Sequence, residues 1–372
     1  MKKILKLLIL IPLLTGCTYT ELEDLAIASA ISIDYDNQFI LTAQVMDVKT
    51  NSAGTLEEKS IIYQGKGQTV SEAVRNFSIK YPKNIYFGHL EVLVLSKDII
   101  ENHLNDVLDY FFKSPETRTS GYILVKEEGK AETILNPENG KIDTFPAEDI
   151  KSILTDSSKR TGTVKDITLE EFTEDYLKKG FSPLVPLIDV QKTKGMTSSK
   201  LILENMAVLK NGKKLIKLDK KSSIAYNTIK QNYTDITINA KYKNMNLAPI
   251  IYYPKSKISL KIKNNQITIN IKIKAEAIIS NSNGIDQTNQ KMHKKLEKAI
   301  EKSLEDHIDY LLNFSEKNNA DILGLKNMIY KNYNKNYKQY KNKNIYKEAK
   351  ITKNIDIKIY RYGNTNNKGG KK

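Results

Sequence analysis

The residue best placed for covalent chemistry is Cys17, the one cysteine among 372 residues. It closes the run Leu14-Thr15-Gly16-Cys17, which has the form of a lipobox. Small residues before the cysteine let a signal peptidase reach the backbone, and the thiol accepts a diacylglyceryl group as a thioether. Lys2, Lys3 and Lys6 make a positive start, and Ile4 to Leu14 is an apolar run broken by Lys6 and Pro12. That run is too short for a bilayer span of ~20 apolar residues and suits the apolar stretch of a secretion signal. Residues 1–16 are therefore expected to be a lipoprotein signal peptide, with Cys17 the lipid-bearing first residue of the mature chain. A single thiol leaves no internal disulfide and no cysteine-rich metal site, as suits an extracytoplasmic protein.

Other chemistry is sparse. His89, His103, His293 and His307 stand at no metal-ligand spacing, and the chain has no H-E-x-x-H, P-loop, G-x-G-x-x-G or G-x-S-x-G. The acidic pair Glu57-Glu58 falls in an expected loop. Glu170-Glu171 opens an expected helix, where it favours the dipole. No catalytic residue, metal ligand set or cofactor is expected, and the chain reads as a non-enzyme. His89 follows Gly88 at the entry to an apolar strand, either as a hinge or contact point or as a structural histidine hydrogen-bonded there. Asp321, ahead of Ile322-Leu323-Gly324, reads as the N-cap of a helix. Gly88, His89, Asp321 and Gly324 together are candidates for a structural or interface motif.

The formal charge is +16, from 59 basic and 43 acidic residues. Residues 331–372 hold 13 Lys or Arg against Glu348 and Asp356. A nucleic-acid binder would interleave such charge with a recognition fold, and none is evident. Attraction to an anionic membrane or wall polymer and a merely solvated lysine face both fit. No segment after the signal is apolar enough to span a bilayer, so the lipid alone is expected to anchor the chain.

These residues need elements to hold them. Ile27–Ile33 and Phe39–Val48 read as a hairpin, Asn51–Lys59 as a loop and Ile61–Tyr63 as a strand. Thr69-Val70-Ser71-Glu72 is a capping box opening a helix to about Lys80. Leu90–Leu95 is an apolar strand. Ile100, Leu104, Val107, Leu108, Phe111 and Phe112 then recur at helical spacing from about Lys97, and Tyr122–Val125 is the next strand. Thr168-Leu169-Glu170-Glu171 opens another helix, which Gly180 is placed to end. Leu201–Leu218 is a hairpin about Asn211-Gly212. Ile258 to Ile273 alternates with polar residues at period two, placing Lys261, Lys263, Lys272 and Lys274 on the polar face. A long helix over about Gln287–Ser315 carries the stripe Met292, Leu296, Ile300, Leu304 and Ile308. A shorter helix follows Asp321, and a last strand spans Ile351–Ile359.

Strand and helix alternate in the first half, and antiparallel patterns govern the second. The expected class is α/β, grading into α+β: multi-domain, with mixed β-sheets flanked by helices. The polar stretch Gln191–Lys200 marks the boundary. Residues 17–192 are expected to form an N-terminal α/β domain, 193–363 a C-terminal α/β domain with room for two subdomains, and 364–372 a disordered tail.

Several segments, in order behind the lipobox, resemble one family. Glu21-Leu22-Glu23-Asp24-Leu25-Ala26-Ile27 and Ile31-Ser32-Ile33-Asp34 look like its start. Gly67-Gln68-Thr69-Val70-Ser71-Glu72-Ala73 and Tyr86-Phe87-Gly88-His89-Leu90-Glu91-Val92 resemble its next two motifs. Met206-Ala207-Val208-Leu209-Lys210 and Ala320-Asp321-Ile322-Leu323-Gly324-Leu325 resemble later ones. The family is the Ger(x)C spore germination lipoproteins, the C-subunits of nutrient germinant receptors. Membership implies an α/β fold of several domains and a non-enzymatic, lipid-anchored subunit on the outer surface of the spore inner membrane. It also implies two multi-spanning membrane partners of the A and B types. The rival reading is a solute-binding lipoprotein of a transporter, which would have two similar lobes about a ligand cleft.

Overall fold

The first two described strands, β1 (Leu25–Tyr35) and β2 (Phe39–Thr50), are antiparallel about a turn in which Asn37 takes a φ of 55°. This computed structural model describes residues 25–50, 56–81, 83–115, 117–135, 146–192, 199–279 and 290–361. The third strand, β3 (Leu56–Gly67), starts earlier than its sequence suggests. Glu57 and Glu58 lie in the strand, opposite Lys49 and Val48, and not in a loop. Cross-strand pairing along β2 overrides their weak strand propensity.

Helix α1 (Val70–Lys80) is capped by Thr69, whose hydroxyl accepts from the Glu72 amide at 3.1 Å. The Glu72 carboxylate accepts from the Gln68 amide at 2.7 Å, one residue before the partner a capping box assigns. The helix returns the chain to β4 (Asn84–Tyr86) and β5 (Val92–Ser96), both parallel to β1. Ser96 accepts from the Ile99 amide at 3.4 Å as the next helix begins. That helix makes one π turn (Ile99–His103) before α2 (Leu104–Lys113). Its buried positions are those expected, except that Phe112 is exposed. β6 (Tyr122–Lys126) lies parallel to β5. Then come α3 (Glu132–Leu135), α4 (Pro146–Thr161) and α5 (Leu169–Leu177), the last opened by a complete Thr168–Glu171 capping box.

β7 (Leu184–Lys192) runs parallel to β6, and β8 (Ser199–Lys210) and β9 (Lys214–Lys217) finish the sheet antiparallel. Lys210 pairs with Lys214 across a three-residue connection, in which the Lys213 amide donates to the Lys210 carbonyl at 3.1 Å and Asn211 and Gly212 both have positive φ. Among the described residues the sheet has nine strands in the order β3-β2-β1-β5-β6-β7-β8-β9, with β4 beside β1. β8 and β9 come from beyond residue 192, so chain past that point completes the first sheet.

Buried strand residues alternate between two faces. Ile31, Ile33, Leu93, Leu95, Ile123 and Val125 join α1, α2 and α5 through Phe77, Phe111 and Phe172. Ala30, Val92, Val94 and Leu124 join α3 and α4 through Ile134, Ile150 and Leu154. Each large side chain so buried contributes roughly 1.5–3 kcal/mol relative to exposure.

The second half opens with α6 (Lys220–Lys230), buried at every residue from Ser222 to Ile229. Short strands β10 (Asp235–Thr237), β11 (Ala240–Tyr242) and β12 (Met245–Leu247) lead into the long hairpin β13 (Pro249–Lys263) and β14 (Gln266–Ile279). Its turn residues Asn264 and Asn265 again both have positive φ. Helix α7 (Gln290–Asn318), α8 (Leu325–Asn332), α9 (Asn334–Tyr340) and α10 (Ile345–Glu348) then carry the chain to β15 (Lys350–Arg361), parallel to β14. The order β10-β13-β14-β15 leaves β15 an edge strand.

The edge is protected by an acidic ladder on α7 at intervals of four. Glu301 accepts from the Ile357 amide and Glu297 from the Ile359 amide, each at 3.1 Å. Glu305, 3.1 Å away, and Asp309 hold Lys353. Side chains thus occupy amides that could otherwise recruit a foreign strand. The two sheets differ in strand number, order and direction, unlike the paired lobes of the transporter reading. The architecture is mixed sheets with flanking helices, as expected.

Candidate functional site

Leu14, Thr15, Gly16 and Cys17 lie outside the described residues, as do the expected tail residues 364–372. The other four candidates occupy two separate places.

Gly88 and His89 form the tip of a turn closed by the Leu90 amide donating to the Phe87 carbonyl at 3.0 Å. Phe87 and Leu90 point into the core, which leaves His89 exposed, its ring 6.3 Å from that of Tyr86. The Tyr86 ring covers Gly88 so closely that a Cβ there would sit 2.2 Å from it. His89 is therefore a surface group at a rigid turn.

Asp321 and Gly324 lie in the turn between α7 and α8. One carboxylate oxygen of Asp321 accepts from the amides of Gly324 at 3.0 Å and Leu325 at 2.9 Å, and from the Tyr346 hydroxyl at 3.0 Å. The other accepts from the Lys326 amide at 2.7 Å. The first free amides of α8 are thus satisfied from three residues upstream. The Tyr346 hydroxyl in turn accepts from the Leu323 amide at 3.0 Å. Burial pushes the Asp321 carboxyl up, while its backbone donors pull it back, and the Tyr346 hydroxyl stands well above an ordinary phenol.

Gly324 adopts φ of 80°, and a Cβ there would meet the Phe181 ring at 3.2 Å. The Asp321 carbonyl accepts from the Ser182 amide at 2.9 Å. The turn therefore docks on the segment that leads into β7 of the first sheet. Around it, Lys230 lies 5.8 Å from the Phe181 ring centre and 5.9 Å from that of Tyr226. Burial lowers the pKa of both Lys230 and Lys326. This is a joint between the two halves of the chain, built from a satisfied carboxylate and close ring packing.

Two of the cavities hold buried titratable groups in their walls. One, of about 330 Å³, lies beyond the C-terminal ends of the parallel strands β1, β5 and β6, where open α/β sheets commonly bind ligands. Its acids already have structural work. Asp34 accepts from the Ala131 and Glu132 amides at 2.7 and 3.0 Å, and so opens α3. Glu101, in the π turn, accepts from the Leu215 amide of β9 at 2.7 Å.

The other cavity, of about 900 Å³, lies between α6, the β11–β12 hairpin and α7, with His307 in its wall. His307 is buried, and its Nδ1 has no hydrogen-bond partner among the described residues. Desolvation, then the nearby Lys221, lower its pKa, and Asp306 and Asp219 oppose this. The unfolded chain therefore takes a proton on this residue at a higher pH than the folded chain does. The stability that the neutral imidazole supports is complete above about pH 6.5 and is lost as pH falls through the lowered folded value. His307→Gln is expected to flatten the decline of the thermal midpoint below about pH 6.5. Parallel midpoint–pH curves for variant and parent would refute the assignment.

No group of three or more potential metal ligands occurs among the described residues. The two halves of the chain meet at the Asp321 turn, where the Ser182 amide donates to the Asp321 carbonyl. Residues 18–190 match the profile described as the spore germination protein N-terminal domain, and residues 204–363 the one described as spore germination B3/GerAC like, C-terminal. The chain belongs to the Ger(x)C family of spore germination proteins.

Spore germination protein KC of Bacillus subtilis (strain 168) is 27% identical, with 97% of this chain and 95% of that one covered. Spore germination protein B3 of the same organism is 25% identical over 49% of each chain. The crystal structure of the GerBC protein superposes with a TM-score of 0.53 at 20% identity, covering 88% of this chain and 96% of that one. That likeness bears on the fold, which this Ger(x)C chain shares. A role in germination follows from the family.

Proposed function

We propose that this chain is the lipid-anchored subunit of a spore nutrient germinant receptor, and that it acts by binding partners and not by turnover. The observation that carries the reading is the pair of family matches, which run in order over residues 18–190 and 204–363. Three further points support it. The lipobox supplies a tether at Cys17. No described helix is long and apolar enough to cross a membrane. Several buried or half-buried acids serve structure: Asp34 and Asp321 hold helix amides, and Glu297 and Glu301 hold the β15 edge.

The tether gives the mechanism physical content. Eight Cα-to-Cα steps separate Cys17 from Leu25, where β1 begins. At ~3.4 Å each they reach at most ~27 Å, so the lipid would hold the first sheet beside the outer surface of the spore inner membrane. Confinement there raises the effective concentration of the two folded halves near membrane-embedded partners, and modest contacts then suffice for a complex. The partners proposed are the two multi-spanning receptor subunits, of A and B types.

The test is deletion of the gene in a strain with no other nutrient receptor, followed by complementation with wild type or Cys17→Ser. Deletion should abolish the response to at least one nutrient. It should spare growth, sporulation and germination by triggers that bypass receptors. Wild type should restore the response, and Cys17→Ser should restore little and carry no palmitate-analogue label. Normal nutrient germination of the deletion strain would overturn the receptor reading. Equal label on both proteins would overturn the anchor.

A further inference from the structure

The second sheet is covered by helices on one face only. Ile267, Ile269, Ile271 and Ile273 of β14 are buried on the face where α6 and α8 contact β13 and α7 contacts β15, and the alternate residues point to the other face. On that open face stand Lys255, Lys257, Lys261 and Lys263 of β13 and Lys272 and Lys274 of β14, all exposed. The register sets Lys255 directly opposite Lys274, and Lys257 directly opposite Lys272.

Like charges in directly opposed cross-strand positions destabilise a sheet. None of the six has an ion-pair partner among the described residues. Asp356, in register with Lys274 on β15, pairs with Lys358 at 3.2 Å instead. The acids on this face are Glu276 and Asp356; Lys358, in register with the first, pairs with the second, which leaves the six lysines in excess.

We infer that this face docks electrostatically on the anionic lipid headgroups of the membrane to which the chain is tethered. The arrangement fits a plane better than a pocket. The cations spread over two neighbouring strands of a regular sheet and converge on no point. All six are lysines, compact charges on flexible stems, and not the planar forks that bind one phosphate bidentately. Each such lysine near an anionic surface strengthens binding about fivefold. Their sum orients the second half against the bilayer while the lipid holds the first. The tether belongs to the function proposed above, but the face can be tested without it.

The experiment uses the unlipidated chain beginning at Thr18, which keeps every described residue, in sedimentation with phosphatidylglycerol or phosphatidylcholine vesicles. Binding is expected to the first and not the second, and to weaken as salt screens the charges. The quadruple variant Lys255→Gln, Lys257→Gln, Lys272→Gln, Lys274→Gln should lose at least tenfold in affinity. Its thermal midpoint should rise by up to about 1 °C for each like-charge pair relieved, and an unimpaired midpoint also shows that it is folded. A control removing Lys335 and Lys338 of α9 and Lys341 just after it should bind within about threefold of wild type.

Equal vesicle binding by the quadruple variant and wild type would overturn the proposal, as would salt-independent binding or equal affinity for the two lipids. If the variant keeps vesicle binding but the lipidated form is no longer recovered with membrane proteins, the face belongs to an acidic protein surface and the lipid proposal falls. Because no spore and no lipid anchor enter the vesicle assay, its outcome is independent of the receptor reading.

Discussion

Asp321→Ala is expected to lower the stability of the chain by about 3–5 kcal/mol, the loss that follows when a buried charged hub is removed and its donors are left unpaired. Four donors are affected. The amides of Gly324, Leu325 and Lys326 and the hydroxyl of Tyr346 all end on this one carboxylate, at 2.7–3.0 Å. Asp321 is 3% exposed, so water does not take its place without opening the turn. The same turn holds the Ser182 amide, so the damage should spread to the joint between the halves.

In a thermal melt the shift should be about 4–7 °C. Asp321→Asn should fall between parent and alanine, because an amide can accept from Gly324 and Leu325 but presents a donor to the Lys326 amide. Tyr346→Phe alone should cost about 1 kcal/mol, and clearly less in the Asp321→Ala background, since the two share one network. A midpoint for Asp321→Ala within 2 °C of the parent would show that the turn is held by packing and not by the carboxylate.

How much of this was legible in the sequence follows from how local each feature is. The capping of α1 and α5, the Asn211-Gly212 turn and the period-two isoleucines of β13 and β14 are written in neighbouring residues, and they appear where the pattern puts them. Asp321 announces a cap by its position before a helix, but Tyr346, its partner 25 residues on, has no local mark.

Helix α6 escapes notice because it is buried all round and carries Ser222, Ser223, Asn227 and Thr228 inside, which erases any amphipathic stripe. Its polar groups make sense only in three dimensions: Asn227 donates to the Gly162 and Val164 carbonyls at 2.8 and 3.1 Å, and Thr228 meets the Tyr233 hydroxyl at 2.9 Å. Helix α4 did carry a signal. Pro146 opens it, Glu148 and Asp149 follow, and Ala147, Ile150 and Leu154 recur at helical spacing. The acids of α7 at Glu297, Glu301, Glu305 and Asp309 are also periodic, but only the β15 edge shows that they protect a strand.

Gly65→Ala is the second large effect, expected to cost about 3 kcal/mol, at the upper end of overpacking penalties, because rigid backbone meets the new atom. β3 and α1 approach so closely here that a Cβ on Gly65 would sit 2.1 Å from the Ala73 carbonyl oxygen and 3.0 Å from the Phe77 amide nitrogen. Gly67 is in the same position one pleat on, with the Ala73 amide nitrogen at 2.5 Å. Neither neighbour is a side chain that can turn aside. The helix itself must lift off the strand, taking the fully buried Phe77 out of its packing.

The comparison that isolates this cause is Gly129→Ala. Gly129 has φ of 76° but nothing within 4 Å of its Cβ position, so it should lose only the ~1–2 kcal/mol of left-handed backbone strain. Because one displacement of α1 relieves both overlaps, Gly65→Ala with Gly67→Ala should cost less than the two singles summed. Chemical denaturation of the four proteins measures all of this. A Gly65→Ala variant no less stable than Gly129→Ala would mean that α1 does not ride directly on the backbone of β3.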